Sequence, residues 1–158
     1  MKDKGELHGT EAIAVLGVTI GEDRYLVPMV EVSEVITIPS KLTKVPLTQP
    51  WFVGLINVRG NLYNIIDSSI YLDCHLLPYS VKSRILLVSS DNKLQSGFVV
   101  NSMLGIRNLT EFIPEKLPKK RSMQGTDAQY KDSDGRLWRK LSLLALMNDE
   151  RFMQIARA

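Results

Sequence analysis

The side chains best suited to chemistry are one cysteine, two histidines and a few closely spaced carboxylates. Cys74 and His75 are adjacent, and a thiol beside an imidazole is the arrangement that activates a cysteine nucleophile. Neighbouring side chains on an extended chain point in opposite directions, so we interpret this pair as part of an ordinary loop. His8 lies near the start of the chain with no obvious partner.

The other polar residues do not indicate an enzyme either. Glu31 and Glu34 are close in sequence, but paired carboxylates need a cleft to act as acid and base, and the sequence indicates none. Neither glycine-rich phosphate-binding motif is present, and no spacing of histidine, cysteine and carboxylate resembles a zinc site. We therefore expect a protein that is not an enzyme and that binds no cofactor or metal.

Composition indicates a globular chain in a reducing compartment. Of 158 residues, 44% are hydrophobic and 23% charged, which suits one domain or two small lobes sharing a core. A single cysteine excludes an internal disulfide. The first residues show no secretion signal, and no apolar run is long enough to span a bilayer. We expect a cytoplasmic protein without direct membrane insertion.

A basic cluster, "KLPKKR" at residues 116–121, is the densest run of charge. We interpret it as a solvated loop, and leave open a contact with an anion or a membrane surface. With Tyr130 and Trp138 it could instead belong to a barrel that stacks nucleic-acid bases above a basic groove. A net charge of only +3 and an aromatic content of 7% favour a protein without a nucleic-acid partner.

Short strands are the elements that must position these residues. Pro28 cannot donate to a ladder, so its strand is expected at a sheet edge or to start there. Val32 and Val35 fall out of phase, which predicts a bulge or bend between them. Strands are predicted at 12–20, 25–30, 31–38, 51–58, 84–90, 95–100, 103–109 and 136–141, with another entered through a tight turn at 59–67.

The connecting segments and the tail are predicted from their composition. Residues 39–50, 73–82 and most of 110–131 are expected to be irregular, and 68–72 a short helical turn. Helix formers from residue 142 onward predict a C-terminal helix, with a possible break at Asn148 and Asp149. The two halves resemble each other in kind, which predicts a mainly β protein of two small packed barrels.

The segment "GLINVRG", residues 54–60, places an amide and a guanidinium inside the most apolar part of the chain. It lies within "KVPLTQPWFVGLINVRGNLYNIID", which resembles the signature of the CheW-like family of chemotaxis coupling proteins. The matching positions are Gly54, Asn57, Arg59, Gly60 and Asp67. The preceding "YLVPMVEVSEVI" is similar to the first-lobe strand pair of that family, with Val32, Glu34 and Val35 in place.

The resemblance extends over most of the chain. Residues 84–106 look like the second-lobe hairpin, and the ending is similar to the PilI-like branch of the type IV pilus twitching-motility system. It implies a single CheW-like domain at 11–157, with SH3-like five-stranded lobes near 22–72 and 83–141 and a C-terminal helix at 142–156. Asn64, Ser68 and Asn101 depart from residues common in the family.

The resemblance also implies a function. Members are non-catalytic adaptors that couple a methyl-accepting chemoreceptor to the regulatory domain of a CheA-like histidine kinase, at membrane receptor arrays. The expected partner-binding residues are Val32, Glu34, Val35 and Arg59, with the Arg59 guanidinium near the Glu34 carboxylate. Gly54, Asn57, Gly60 and Asp67 would shape that surface. The alternatives are a flagellar CheW adaptor and the anion- or nucleic-acid-binding barrel; Arg59 could also merely tie two strands together.

Overall fold

The computed structural model describes residues 13–40, 42–88, 95–117 and 125–155, and β-strands dominate these ranges. Two short α-helices are present, α1 (Ser68–Tyr71) and α2 (Leu143–Met147), with 3-10 helices at Met29–Glu31, Leu109–Glu111 and Glu150–Met153. The strands are β1 (Ala14–Ile20), β2 (Asp23–Pro28), β3 (Val32–Thr37), β4 (Phe52–Val58), β5 (Asn61–Asp67), β6 (Arg84–Val88), β7 (Ser96–Val100), β8 (Ser102–Asn108), β9 (Ile113–Glu115), β10 (Thr126–Lys131) and β11 (Leu137–Leu141).

The strands form two sheets, and each sheet takes one hairpin from the other half of the chain. The six-stranded sheet has the order β8-β1-β2-β11-β10-β9, and the five-stranded sheet the order β3-β6-β7-β5-β4. Parallel pairs join β2 to β11 and β5 to β7. The mainly β fold with a C-terminal helix is confirmed. The predicted lobe boundaries stay a prediction, but strand pairing crosses them, because the β6–β7 hairpin lies beside β3 and β5.

Three apolar clusters follow from the alternation of side chains along the strands. The largest lies between the sheets and takes Leu86 and Val88 from β6. Ile85 and Leu87 of the same strand point the other way, into a cluster inside the five-stranded sheet. A third cluster, around Trp138, belongs to the six-stranded sheet. Because both faces of β6 are buried, its sequence is continuously apolar rather than alternating.

Several predictions about single elements are confirmed, and others are wrong for identifiable reasons. A register shift between Val32 and Glu34 is the predicted bulge. Pro28 ends β2, an inner strand rather than an edge; its missing N–H is not needed, because pairing with β11 extends only to Leu26. Residues 110–131 contain β9, at the edge of the six-stranded sheet, and β10 beside it, whose largely polar sequence resembles that of a loop.

The C-terminal segment forms two short helices instead of one helix over 142–156. The predicted break is where the structure places it: Asn148 ends α2, and the Asp149 carboxylate caps the following 3-10 helix. Phe152 of that 3-10 helix is buried and stacks on Trp51 in the core between the sheets. His8 and most of the 116–121 basic cluster lie outside the described residues. None of the helices in the described ranges has the length and apolar character to cross a bilayer.

A buried carboxylate ties the C-terminal helix to the body of the protein. Glu31 is 7% exposed, and its Oε1 accepts hydrogen bonds from the backbone N–H groups of Leu143 at 2.7 Å and Leu144 at 3.4 Å. The Ser142 hydroxyl donates to Glu31 Oε2 at 2.7 Å. These donors at the start of α2 have no helical partner of their own. Glu31 therefore fixes the helix against the strand that carries Glu34.

Removing this carboxylate should destabilise the fold. We expect Glu31→Ala to lower the free energy of unfolding by about 2–3 kcal/mol, because it leaves buried donors without an acceptor. Glu31→Gln keeps one side-chain oxygen as acceptor and should lose less than half as much. Urea unfolding of the three chains measures this. A loss for Glu31→Ala below roughly 0.5 kcal/mol, the range of neutral surface changes, would contradict the role assigned to Glu31.

Candidate functional site

Arg59 occupies a two-residue turn between β4 and β5. Val58 pairs with Asn61, and both intervening residues have positive φ, 51° at Arg59 and 87° at Gly60. Tight hairpin turns of this kind require positive φ at both central positions. The backbone N–H of Gly60 donates to Asn57 Oδ1 at 2.9 Å, which confirms the predicted turn. An arginine here is held in a conformation that suits glycine or asparagine better.

The Arg59 side chain forms a two-point ion pair with Glu34. Nη1 donates to Oε2 at 3.2 Å, and Nη2 donates to Oε1. The predicted proximity of these residues is thus confirmed. The pair is open to solvent, since the Arg59 side chain is 70% exposed and that of Glu34 34%. The hydrogen bond from Arg59 lowers the pKa of Glu34 below its ordinary value, and Glu34 raises that of the guanidinium.

The ion pair joins opposite edges of one sheet. β3, which carries Glu34, and β4, which leads into Arg59, are the first and last strands of the five-stranded order. Their contact means that the sheet curls until its edges meet, as in a small barrel. Ile36 of β3 and Ile56 of β4 both pack into the cluster inside this sheet. The ion pair therefore connects β3 to the β4–β5 turn and is also exposed at the surface.

Gly54 allows a loop to cover the free edge of β4. Its φ is +148°, and an added Cβ would lie 2.6 Å from the carbonyl oxygen of Thr43. That close approach lets Thr43 and Leu55 exchange two backbone hydrogen bonds, at 3.0 and 2.8 Å. A side chain at position 54 would push this loop away. Gly54 therefore shapes the edge that leads to Arg59.

Asp67 anchors the far end of β5. Its Oδ1 accepts from the Ile70 N–H at 3.1 Å, capping α1, and the Tyr79 hydroxyl donates to its Oδ2 at 2.5 Å. Burial and the nearby carboxylate raise the pKa of Tyr79. Tyr79 was not singled out from sequence, because nothing in its neighbourhood identifies a contact twelve residues away. Asp67 holds the strand and the 73–82 connector together, at the opposite end of β5 from Arg59.

Apolar residues near the ion pair differ in exposure. Val35 is 38% exposed and follows Glu34 directly, and Leu62, three residues after Arg59, is 59% exposed. Val32 is only partly exposed and packs against the core between the sheets. We name Glu34, Val35, Arg59 and Leu62 the Arg59 patch. Exposed apolar side chains close in sequence to a charged pair suit binding to another protein.

The other residues that could act in catalysis, nucleic-acid binding or metal binding lie in surroundings that do not suit those roles. Burial raises the pKa of the Cys74 thiol, which lies 3.3 Å from the Tyr25 hydroxyl, and this favours the unreactive protonated form. Trp138 is 2% exposed, so its ring cannot stack on a nucleic-acid base. Within the described ranges, no three histidine, cysteine, aspartate or glutamate side chains come together as metal ligands would.

Comparisons with known proteins identify the family and the fold that this chain resembles. Residues 14–151 match the family described as CheW-like domain. The chain is 31% identical over 104 residues to Protein PilI of Pseudomonas aeruginosa, covering 65% of this chain and 57% of that protein. It is 25% identical over 89 residues to Chemotaxis protein CheW of Helicobacter pylori, covering 56% and 53%. The matches thus span little more than half the length of these relatives.

A solved structure shares the fold. The chain superimposes on the crystal structure of scaffolding protein TtCheW from Thermoanaerobacter tengcongensis with a TM-score of 0.71. The match covers 83% of this chain and 84% of the other, at 20% sequence identity. At that identity the likeness establishes the architecture.

Breaking the ion pair should change how Glu34 titrates. In Arg59→Asn, which keeps a residue tolerant of positive φ, we expect the pKa of Glu34 to rise toward the ordinary glutamate value near 4.3. Because the pKa of Glu34 is lower in the folded state, the pair stabilises the fold fully above the ordinary glutamate pKa. This contribution is lost as the pH falls through the folded-state pKa of Glu34. Carboxyl carbon NMR titration of both chains measures this; identical Glu34 midpoints would contradict the pairing.

Proposed function

The chain belongs to the CheW-like domain family, and from that premise we propose that it is a non-catalytic adaptor linking a chemoreceptor to a CheA-like histidine kinase. The observation that carries the proposal is the exposed, two-point Arg59–Glu34 pair, built at a strained turn on the edge of a barrel. An ion pair needed only for stability gains little from such exposure. Its position suits recognition of a partner.

The Arg59 patch has the chemistry of a docking surface. A guanidinium has five N–H donors, and Glu34 takes two of them, which leaves donors for a carboxylate or carbonyl of the partner. Glu34 holds the arginine in place, so less side-chain freedom is lost on binding. Val35 and Leu62, which are exposed and close in sequence to Glu34 and Arg59, offer apolar contact. Once a partner excludes water, the charge interactions strengthen in the lower dielectric.

The adaptor would couple the receptor to the kinase by binding both of them, without catalysing a reaction. A receptor that binds the adaptor differently in its two signalling states shifts the population of kinase arrangements, by the difference in binding free energy. The barrel edges held together by Arg59 and Glu34 form a rigid surface through which such a difference can act. The regulatory domain of the kinase is proposed as one partner and a methyl-accepting chemoreceptor as the other, at the cytoplasmic face of a receptor array.

The proposed system is type IV pilus twitching motility. Similarity to Protein PilI supports it, and so does the resemblance of the C-terminal sequence to the PilI-like branch. Flagellar chemotaxis is the second candidate, supported by the similarity to Chemotaxis protein CheW.

Binding to the kinase tests the role of the patch. We expect Arg59→Asn to weaken the affinity for the partner kinase's regulatory domain about tenfold or more, as loss of a central arginine does at interfaces. Asparagine tolerates the φ of 51°, so the turn should persist. Arg136→Asn is the matched control: it removes an arginine paired with Asp134 in the turn between β10 and β11 and should leave affinity unchanged. Isothermal titration calorimetry measures all three chains.

A charge-reversed variant separates the two roles of the ion pair. Glu34→Arg with Arg59→Glu can re-form the tie between the strands, but it presents the charges to the partner in reversed order. We expect near-native stability and lost kinase binding. Native affinity in this variant or in Arg59→Asn would show that the pair is structural only.

Deletion in the native host tests the choice of system. We expect the deletion strain to lose twitching on agar and to keep flagellar swimming, with Arg59→Asn giving the same pattern. Complementation with the wild-type chain is the control. Loss of swimming with normal twitching would support the flagellar alternative and reject the pilus assignment.

A further inference from the structure

Two arginines lie over the ring of Trp138 in the six-stranded sheet. The guanidinium carbon of Arg107, on β8, is 5.6 Å from the ring centroid, and that of Arg24, on β2, is 6.0 Å from it. Both distances fit cation–π contacts. The two strands are separated by β1, so residues far apart in sequence meet at one indole.

The indole itself is rigidly held. Its Nε1–H donates to Asp132 Oδ2 at 2.9 Å, and Phe112 packs edge-on with ring centroids 5.2 Å apart. Gly17 leaves room for the ring, since an added Cβ there would lie 3.1 Å from Trp138 Cζ3. Asp132 also accepts from the N–H groups of Asp134 and Arg136 in the adjoining turn. Trp138 is therefore a fixed support for the two arginines.

Neither arginine has an anionic partner in the part of the chain that the structure describes. The salt bridges there involve Arg59, Lys131, Arg136 and Arg139, and neither guanidinium over Trp138 donates a hydrogen bond to a described acceptor. Both side chains are only partly exposed. Partial burial removes hydration from a charge, and no carboxylate among the described residues replaces it. A bound anion would supply the missing partner.

We propose that Arg24 and Arg107, supported by Trp138, form a binding site for the carboxylates of an acidic segment in a partner protein. Because both guanidiniums are within 6.0 Å of one centroid, their carbons lie less than about 12 Å apart. One short segment can therefore reach both. The planar fork of each guanidinium matches a carboxylate in two-point geometry, which lysine does not offer.

The surroundings favour a protein over other polyanions. A nucleic-acid site needs an open aromatic face, and Trp138 is 2% exposed. A membrane site needs four or more clustered basic residues, and among the described residues two arginines contact this ring. The two guanidiniums and the buried ring that supports them together suit an acidic protein segment.

The site is separate from the Arg59 patch. Arg24, Arg107 and Trp138 belong to the six-stranded sheet, whereas Glu34 and Arg59 belong to the five-stranded one. A variant at one surface therefore leaves the other intact. An adaptor with two such surfaces can hold two partners at the same time.

NMR on the full chain tests the proposal. The probe is an octapeptide of alternating serine and glutamate, and the control peptide has glutamine at every glutamate. The chain has two tryptophans, so two indole N–H resonances are expected, and Trp138→Phe assigns them. We expect the glutamate peptide to shift the Trp138 indole resonance in a saturable way, with the Trp51 resonance unmoved and the glutamine peptide without effect.

Variants identify the binding groups. Arg24→Gln with Arg107→Gln should weaken peptide affinity about tenfold or more, since charge-assisted hydrogen bonds are lost. Arg24→Lys with Arg107→Lys keeps both charges, so it remains informative if the first variant fails to fold. It should weaken binding severalfold, because lysine lacks the planar two-point geometry of the guanidinium. Lys44→Gln with Lys82→Gln removes two charges from exposed loops and should change affinity less than twofold.

Four results would overturn the proposal. They are the absence of a saturable Trp138 shift, equal shifts from both peptides, equal weakening by the arginine and lysine loop variants, and native affinity in both arginine variants. Three further measurements decide the kind of partner. Tighter arginine-dependent binding of phosphatidylserine vesicles or of single-stranded RNA would reject an acidic protein segment, and so would arginine-dependent self-association in sedimentation.

Discussion

The curled five-stranded sheet depends on a contact between its two edge strands, and the Arg59–Glu34 ion pair lies across that contact. Several local features support this contact. Gly54 allows the loop to approach β4, and Asn57 and Gly60 form the turn that carries Arg59. The bulge after Val32 positions Glu34. The arginine occupies a backbone conformation that other residues would adopt more easily. That local cost is offset only if the guanidinium does something a turn residue cannot do.

Sequence predicted the local features of this site well, because local geometry determines them. A turn with glycine at its second position and an amide three residues before that glycine can be predicted from residue types alone. The bulge followed from the phase of Val32 and Val35. The proximity of Glu34 and Arg59, 25 positions apart, came from family resemblance instead. No periodicity in the chain indicates that the edges of the sheet meet.

Long-range features could not be predicted from residue types. Glu31 lies in a polar stretch with Ser33 and Glu34, and nothing marks it as the buried cap of a helix 112 positions later. The exchange of hairpins between the sheets cannot be predicted from residue types either, because β6 and β7 have the same apolar character whichever sheet they join. Residue type alone allows Trp138 to act as a stacking platform, but its ring is buried by residues from several other strands and a turn. Tertiary contacts decide these features.

The central claim is that the Arg59 patch is where the partner kinase binds, and mapping of the interface tests it most directly. The measurement is the change in amide chemical shifts of the isotope-labelled chain when the unlabelled regulatory domain of the kinase is added. If the kinase binds at the Arg59 patch, we expect the largest changes in chemical shift at residues 32–35 and 57–62, including the Arg59 side chain. Saturable changes elsewhere, with residues 34 and 59 unchanged, would contradict it.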